Sequence, residues 1–145
     1  MAFIIPCFNE AKTIKSVLNI LTNKGDIYLI DNGSTDNTLD YVKKFKINII
    51  KNKFNFGYDT AIEQGMRMAS KEKYRYLITV DADGEHPIEE IPEFISKLKS
   101  KYQLVIGNRD KKNRYTETIF SYYTKSRWNI KDPLCGMKAY RTSSI

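Results

Sequence analysis

Short, nearly unbroken apolar runs recur along the chain, and each of the first four is followed by a stretch whose apolar residues fall on one helical face. The runs are Phe3-Ile4-Ile5, Ile27-Tyr28-Leu29-Ile30, Ile47-Asn48-Ile49-Ile50, Tyr74 through Val80, and Leu104-Val105-Ile106. Between them lie Ile14, Val17, Leu18 and Leu21; then Leu39, Val42 and Phe45, with Asp36 placed to cap their helix. Tyr58, Ala61, Ile62, Gly65, Met66 and Ala69 follow, and then Ile91, Phe94, Ile95 and Leu98, with Pro92 in the first turn. Strands that lack polar alternation are buried on both faces, which calls for parallel pairing with helices above and below. The predicted order is therefore β-α-β-α-β-α-β-α-β, an α/β fold with a mainly parallel sheet and helices on both faces. Beyond Arg109 the pattern weakens. Residues 115–128 read as a helix whose aromatic face (Tyr115, Ile119, Phe120, Tyr123, Trp128) is expected to pack into the core. Lys138-Ala139-Tyr140 reads as a short final strand.

A length of 145 residues suits one domain, and 41% hydrophobic with 28% charged residues is too apolar for disorder. No apolar run approaches the roughly 18–20 residues that span a bilayer. The first residues carry no basic segment, so no signal peptide is expected. Cys7 and Cys135 are too few for a disulfide framework or a zinc site, which fits a reduced, cytoplasmic setting. The net charge of +7 is uneven. Residues 1–108 carry 15 basic and 14 acidic side chains, whereas residues 109–145 carry nine basic and three acidic. Such a local positive field attracts phosphates or anionic lipid headgroups, or else is a solvated surface. A nucleic-acid binder would spread basic and aromatic residues over its whole surface, so nucleic acid is not an expected partner.

In an open α/β sheet, ligands bind beyond the carboxyl ends of the strands, and here those positions gather acidic, amide and glycine residues. They are Pro6-Cys7-Phe8-Asn9-Glu10, Asp31-Asn32-Gly33-Ser34-Thr35-Asp36, Asn55-Phe56-Gly57, Asp81-Ala82-Asp83-Gly84-Glu85-His86 and Gly107-Asn108-Arg109. If the chain runs extended after the fourth strand, Asp81, Asp83 and Glu85 point to one side, where they repel unless a cation joins them. Hard oxygen ligands suit Mg²⁺ or Mn²⁺, and such an ion would hold a substrate diphosphate. The bland reading is a helix cap or an Asp83-Gly84 turn. A calcium EF-loop is excluded, because His86 and Pro92 stand where it needs Gly and Glu. His86 is an acid, a base, a ligand or a structural hydrogen-bonding group. Asp31-Asn32 either reads a nucleobase or forms an Asx turn. No Walker A loop, G-x-G-x-x-G, H-E-x-x-H or G-x-S-x-G is present.

Together these segments resemble the family 2 glycosyltransferases, in order and spacing across essentially the whole chain. Ile4 through Glu10, Leu29 through Asp36, Asn55-Phe56-Gly57 and Val80 through Pro87 are similar to that family's successive signatures. Gly107-Asn108-Arg109 and Asp132 through Arg141 resemble its dolichol-phosphate mannosyltransferase-like branch. The resemblance implies a Rossmann-like GT-A fold, and one domain over 1–145. Residues 1–108 would bind nucleotide, and an acceptor side over 109–145 is expected to be incomplete, because relatives continue past the final strand. It implies a nucleotide-diphosphate sugar donor, a polyprenyl-phosphate or glycan acceptor, and transfer with inversion. Pro6, Phe8, Glu10, Asp31, Asn32, Gly57, Asp81 and Asp83 would bind the nucleotide sugar. Asp81, Asp83 and Glu85 would surround the metal. Arg109 and the basic tail would face phosphates, with peripheral contact at the inner membrane face. Asp132 is the expected base for a hydroxyl acceptor, whereas a lipid phosphate needs none. Two departures stand out: Asn32 replaces a usual Asp, its amide still being able to accept a base N–H, and Glu85 replaces a usual Gln. The alternatives are a nucleotide-sugar-binding fragment without activity and a sugar-phosphate nucleotidyltransferase. The latter would want a Gly-rich basic loop after the first strand.

Overall fold

The computed structural model describes residues 1–109 and 115–144. Lys111, Lys112 and Arg114 of the basic segment lie outside the described residues, as does the side chain of Tyr115. The elements are β1 (Ala2–Cys7), α1 (Ile14–Leu21), β2 (Asp26–Asp31), α2 (Thr38–Val42), β3 (Asn48–Lys51), α3 (Tyr58–Ala69), β4 (Tyr76–Thr79), α4 (Ile91–Lys99), β5 (Leu104–Ile106), α5 (Tyr115–Trp128) and β6 (Lys138–Arg141). The sheet order is β3-β2-β1-β4-β6-β5. β1 to β4 pair in parallel, while β6 runs antiparallel between β4 and β5.

Side-chain alternation along the strands sorts the core into two layers. Phe3, Ile5 and Cys7 of β1 face α1, α2 and α4, where they join Val17, Leu18, Val42, Phe94 and Leu98. Ala2 and Ile4 face α3 and pack with Ile30, Ala61, Ala69 and Leu77. All six residues of β1 are buried, as a central parallel strand requires. α3 lies so close to the sheet that a Cβ on Gly65 would stand 2.4 Å from Ile4 Cγ2 and 2.5 Å from Ile30 Cδ1.

Pro6 decides where the sheet opens. The Ile4 carbonyl accepts the Val80 N–H at 3.0 Å, and Cys7 O accepts Asn32 N–H at 2.8 Å, so alternate β1 residues turn their backbone groups toward β4 and β2. Pro6 is in the set that faces β4 and has no N–H to continue that ladder. Pairing of β1 with β4 ends at Ile4 and Thr79, whereas pairing with β2 continues to Cys7 and Asp31. The strands part at the point where strand order reverses.

Helix α5 departs from expectation. Ile119, Phe120, Tyr122, Tyr123 and Trp128 are exposed, Trp128 by 59%. The inward side carries Ser121 and Thr124, both buried, and Glu117. Ser121 Oγ donates to Glu117 O at 2.7 Å and Thr124 Oγ1 to Ile130 O at 2.9 Å, so the hydroxyls enter without losing hydrogen bonds. An ion pair of Glu117 with Arg109 turns this polar face inward, and the aromatic face is left outside.

Substituting Gly65 with Ala is expected to lower stability by about 1–3 kcal/mol, because Ile4 and Ile30 are fully buried and have no room to give. Urea denaturation of the variant against the parent chain measures the change in midpoint.

Candidate functional site

The parted ends of β1 and β4 carry two adjoining cavities that share Asp81 and Asp83 in their walls. The smaller, about 320 Å³, is lined by Pro6, Cys7, Phe8, Glu10, Asn32, Asn55, Tyr58 and Ala82 besides the two aspartates. The larger, about 670 Å³, takes Glu85, His86, Glu90, Asn108, Arg109 and residues 134–137 into its wall.

Loops after β1 and β2 are stitched together on the outer side of the smaller cavity. Asn9, at φ 58°, accepts the Thr35 N–H through Oδ1 at 2.8 Å and donates its own N–H to Ser34 Oγ at 2.9 Å. Glu10 N–H reaches Thr38 Oγ1 at 2.8 Å, and the Glu10 carboxylate accepts from Thr13 Oγ1 at 2.8 Å. Asp36 accepts from both the N–H and the hydroxyl of Thr38, which holds its carboxyl below the usual range. Asp31 is fully buried; one oxygen accepts the Ser34 N–H at 3.2 Å and the other has no hydrogen-bond partner among the described residues. Phe8 stays 43% exposed at the rim, a face on which a planar base can stack.

Asn32 lines this cavity, but its amide is occupied. Nδ2 donates to Asn55 Oδ1 at 2.8 Å and to the Gly57 carbonyl at 3.1 Å. Oδ1 accepts from Asn52 Nδ2 and from the Phe56 N–H, both at 3.1 Å. Two donors and two lone pairs are the whole capacity of a primary amide, so the expectation that Asn32 accepts a base N–H has no free lone pair behind it. Gly57, at φ 90°, sets the entry into α3 and contributes its carbonyl.

Asp81 is held from three sides. Tyr58 OH donates to Oδ1 and His86 Nε2 meets Oδ2, each at 2.7 Å. Gly136 lies so close that a Cβ there would fall 2.0 Å from Oδ2. Thr79 Oγ1 donates to the Gly136 carbonyl at 2.6 Å and keeps that strand entry against the carboxylate. Burial pushes the Asp81 carboxyl up, but the hydrogen bonds of His86 and Tyr58 and the charge of Arg109 outweigh it and hold it below the ordinary value. Burial, together with the charge and hydrogen bond of Asp81, pushes the Tyr58 phenol far up. His86 thus bonds Asp81 while also lining the larger cavity.

The extended run assumed for Asp81, Asp83 and Glu85 is absent. β4 stops at Thr79 and the chain turns through Ala82-Asp83-Gly84, with Gly84 at φ 78°. Asp83 Oδ1 accepts the Glu85 N–H at 2.9 Å, closing that turn, and Glu85 is exposed. Among the described residues no three His, Cys, Asp or Glu side chains form a ready-made metal cage. The donor chemistry still fits a hard divalent ion. Mg²⁺-type sites commonly use one or two carboxylates and complete their shell with substrate phosphate and water. Asp81 and Asp83 face both cavities, with Glu85 and Glu90 on the wall of the larger.

Arg109 is the cationic side chain on that wall, and it is paired. Nε donates to Asp132 Oδ2 at 2.8 Å, Nη2 to Asp132 Oδ1 at 3.0 Å and to Glu117 Oε2 at 3.2 Å. Asp132 is buried and lies outside both cavity walls. Asp132, the expected base, is here the bidentate partner of the guanidinium. Sequence reasoning passed over Tyr58, taken for the apolar face of α3, and gave Gly136 no role. The signal for Tyr58 was its place directly after Asn55-Phe56-Gly57.

A family model for glycosyl transferase family 2 matches residues 2–143. The chain belongs to glycosyl transferase family 2. It is 34% identical to an uncharacterized protein of Methanocaldococcus jannaschii, over all of this chain and 73% of that protein. It is 26% identical to the dolichol-phosphate mannosyltransferase of Pyrococcus furiosus, over all of this chain and 47% of that protein. Among solved structures it superposes on glucosyl-3-phosphoglycerate synthase from Mycobacterium tuberculosis, in complex with Mn²⁺, UDP-glucose and phosphoglyceric acid. The TM-score there is 0.77 at 20% identity, over 98% of this chain and 56% of that one. The fold is thereby the GT-A fold of the family, and the chain spans about half the length of several of the proteins it matches.

Both thiols of this family 2 domain are buried. Burial, together with the charges of Asp31, Glu10 and Asp36, pushes Cys7 up to about 12, and burial also raises Cys135. Thiolate is the reactive form, so at pH 8 a maleimide or disulfide reagent is expected to label neither cysteine in the native chain and both in guanidinium, as read by intact mass.

Proposed function

We propose that this chain carries the nucleotide-binding part, residues 1–108, and an acceptor-side part, residues 109–145, of a metal-dependent inverting glycosyltransferase. The donor is a nucleotide-diphosphate sugar and the acceptor a polyprenyl phosphate. The observation that carries this reading is the pair of cavities meeting at Asp81 and Asp83 where β1 and β4 part. The smaller offers Phe8 for stacking and backbone from β1, as a base and ribose need. The larger has room for a sugar and an acceptor phosphate, but its wall carries Asp81, Asp83, Glu85 and Glu90. A diphosphate entering there is repelled unless a cation accompanies it. A bound Mg²⁺ or Mn²⁺ would neutralise the charge that develops on the departing diphosphate. Asp83 and Asp81, with Glu85 nearby, would hold it. Tyr58, His86 and the Gly136 backbone keep Asp81 in one orientation.

Arg109 lines the acceptor-side cavity, its guanidinium held in one orientation and its charge balanced by Asp132 and Glu117. Because Asp132 is committed to that pair, the described wall offers no base in the expected place. That supports an acceptor already ionised at neutral pH, a phosphate monoester, over a glycan hydroxyl. Mass action links binding to stability, so a nucleoside diphosphate with Mn²⁺ at about 100 times its Kd is expected to raise the unfolding temperature by about 5–10 °C. Asp83→Ala is expected to abolish the Mn²⁺-dependent part of that rise. Screening UDP, GDP, CDP and dTDP with and without Mn²⁺ names the base. A chain that binds nucleotide and Mn²⁺ yet transfers no sugar is a binding fragment. Binding of nucleoside triphosphates in preference to diphosphates would favour a nucleotidyltransferase.

Helix α5 supports a peripheral membrane contact. Its exposed Ile119, Phe120, Tyr123 and Trp128 stand beside Lys125 and Arg127, the mixture that sits at a bilayer interface carrying anionic lipid. No described helix is long and apolar enough to cross a membrane. Co-sedimentation with vesicles containing phosphatidylglycerol is expected to exceed that with phosphatidylcholine alone, and a Phe120→Ser, Trp128→Ser double variant to lose it. Equal sedimentation of parent and variant would remove α5 from the contact.

A further inference from the structure

We infer that Asn32 is a positioning residue that ties the nucleotide cavity to the Asp81 carboxylate, and that it takes no part in reading the base. The inference rests on the nucleotide-sugar reading of the site. It begins with the amide's orientation, which two backbone groups fix: the Gly57 carbonyl accepts only from Nδ2, and the Phe56 N–H donates only to Oδ1. Asn55 Oδ1 receives both Asn32 Nδ2 and the Gly57 N–H at 2.9 Å, and Asn52 bridges from Asn32 to Gln64 Oε1 on α3 at 2.8 Å. The loop from 52 to 57 and the first turn of α3 therefore hang on one buried amide. The first residue of α3 is Tyr58, and its hydroxyl holds Asp81 Oδ1. The path from Asn32 through Gly57 and Tyr58 to Asp81 is unbroken.

A carboxylate at position 32 cannot build this path. It would present oxygen to the Gly57 carbonyl at a hydrogen-bond distance with no proton between them. Asn55 can rotate its amide to meet a carboxylate, but only by giving up the Gly57 N–H; the Gly57 carbonyl cannot rotate. Asp at this position thus calls for a different set of hydrogen bonds in the loop, and the neutral side chain present here is matched to the set it makes.

The test compares the parent chain with Asn32→Asp, Tyr58→Phe and the double variant, by calorimetry with UDP, GDP and CDP, with and without Mn²⁺. Asn32→Asp is expected to weaken all three nucleotides by the same factor, about tenfold, and to reduce the Mn²⁺ enhancement severalfold without abolishing it. Tyr58→Phe should reduce only the Mn²⁺ enhancement, and the double variant should lose no more of it than Asn32→Asp alone. A changed preference among the three bases in Asn32→Asp would show residue 32 reading the base and overturn the inference. So would additive losses in the double variant. Should Asn32→Asp not fold, Asn52→Ala carries the same expectation, since Asn52 supports the Asn32 oxygen and lines neither cavity. An arm without nucleotide separates this inference from the reading of the site. In Asn32→Asp, amide hydrogen exchange is expected to rise both at residues 56–60 and at residues 81–86. Unchanged exchange at residues 81–86 overturns the coupling, even if no nucleotide binds to the parent chain.

Discussion

The site exists because one backbone ladder stops early. β1 is hydrogen-bonded to β2 along its whole length and to β4 only as far as Ile4. Pro6 lacks the donor that would carry that second ladder on, so two strands that run side by side through the core separate at their carboxyl ends. What lies beyond them can then be polar, because water or a ligand reaches it. Phe8, Asn55 and the Asp81-Ala82-Asp83 turn all border that gap. Without the parting of β1 from β4, Asp81 would be a buried charge with only Tyr58 and His86 beside it and no solvent.

Around the gap, the chain spends polar groups on holding other polar groups still. Asp81 is gripped by Tyr58, His86 and the approach of Gly136; Asn32 by Asn52, Asn55, Phe56 and Gly57; Arg109 by Asp132 and Glu117. Each of these triangles draws on elements far apart in sequence. The groups left outside them, chiefly Asp83 and the Phe8 face, are those with freedom to meet a ligand. A hydrogen-bonded side chain in a restricted setting keeps its direction, and a reaction that must stabilise charge at one point benefits from partners that need no rearrangement.

The strands and helices were legible because the apolar periodicity is strong and local: Ile14, Val17, Leu18 and Leu21 could bury one face only as a helix. The gathering of polar residues beyond the strand ends was legible from order alone. Three features were not. The Asp83-Gly84 turn, one of the readings the sequence left open, breaks the alternation that would have put three carboxylates on one side, and the residues alone did not choose between the two. The outward aromatic face of α5 follows from ion pairing of Arg109 with Glu117 and Asp132, residues eight and 23 positions away, which no local pattern encodes. The occupied amide of Asn32 depends on a loop more than twenty residues distant, which its residue type alone does not reveal.

The antiparallel placement of β6 has a consequence for how the domain comes to be assembled. β5 has β6 as its sheet neighbour and does not pair with β4, so residues 104–106 wait for residues 138–141 before they join the sheet. A nascent chain emerging from the ribosome can complete β1 to β4 and cover them with α1 to α3, while the other half of the larger cavity still has no floor. Gly136 and the Thr79 hydroxyl meet in that same late event. The smaller cavity is thus built from segments made early, and the larger takes shape only once a distant strand has threaded into the middle of the sheet.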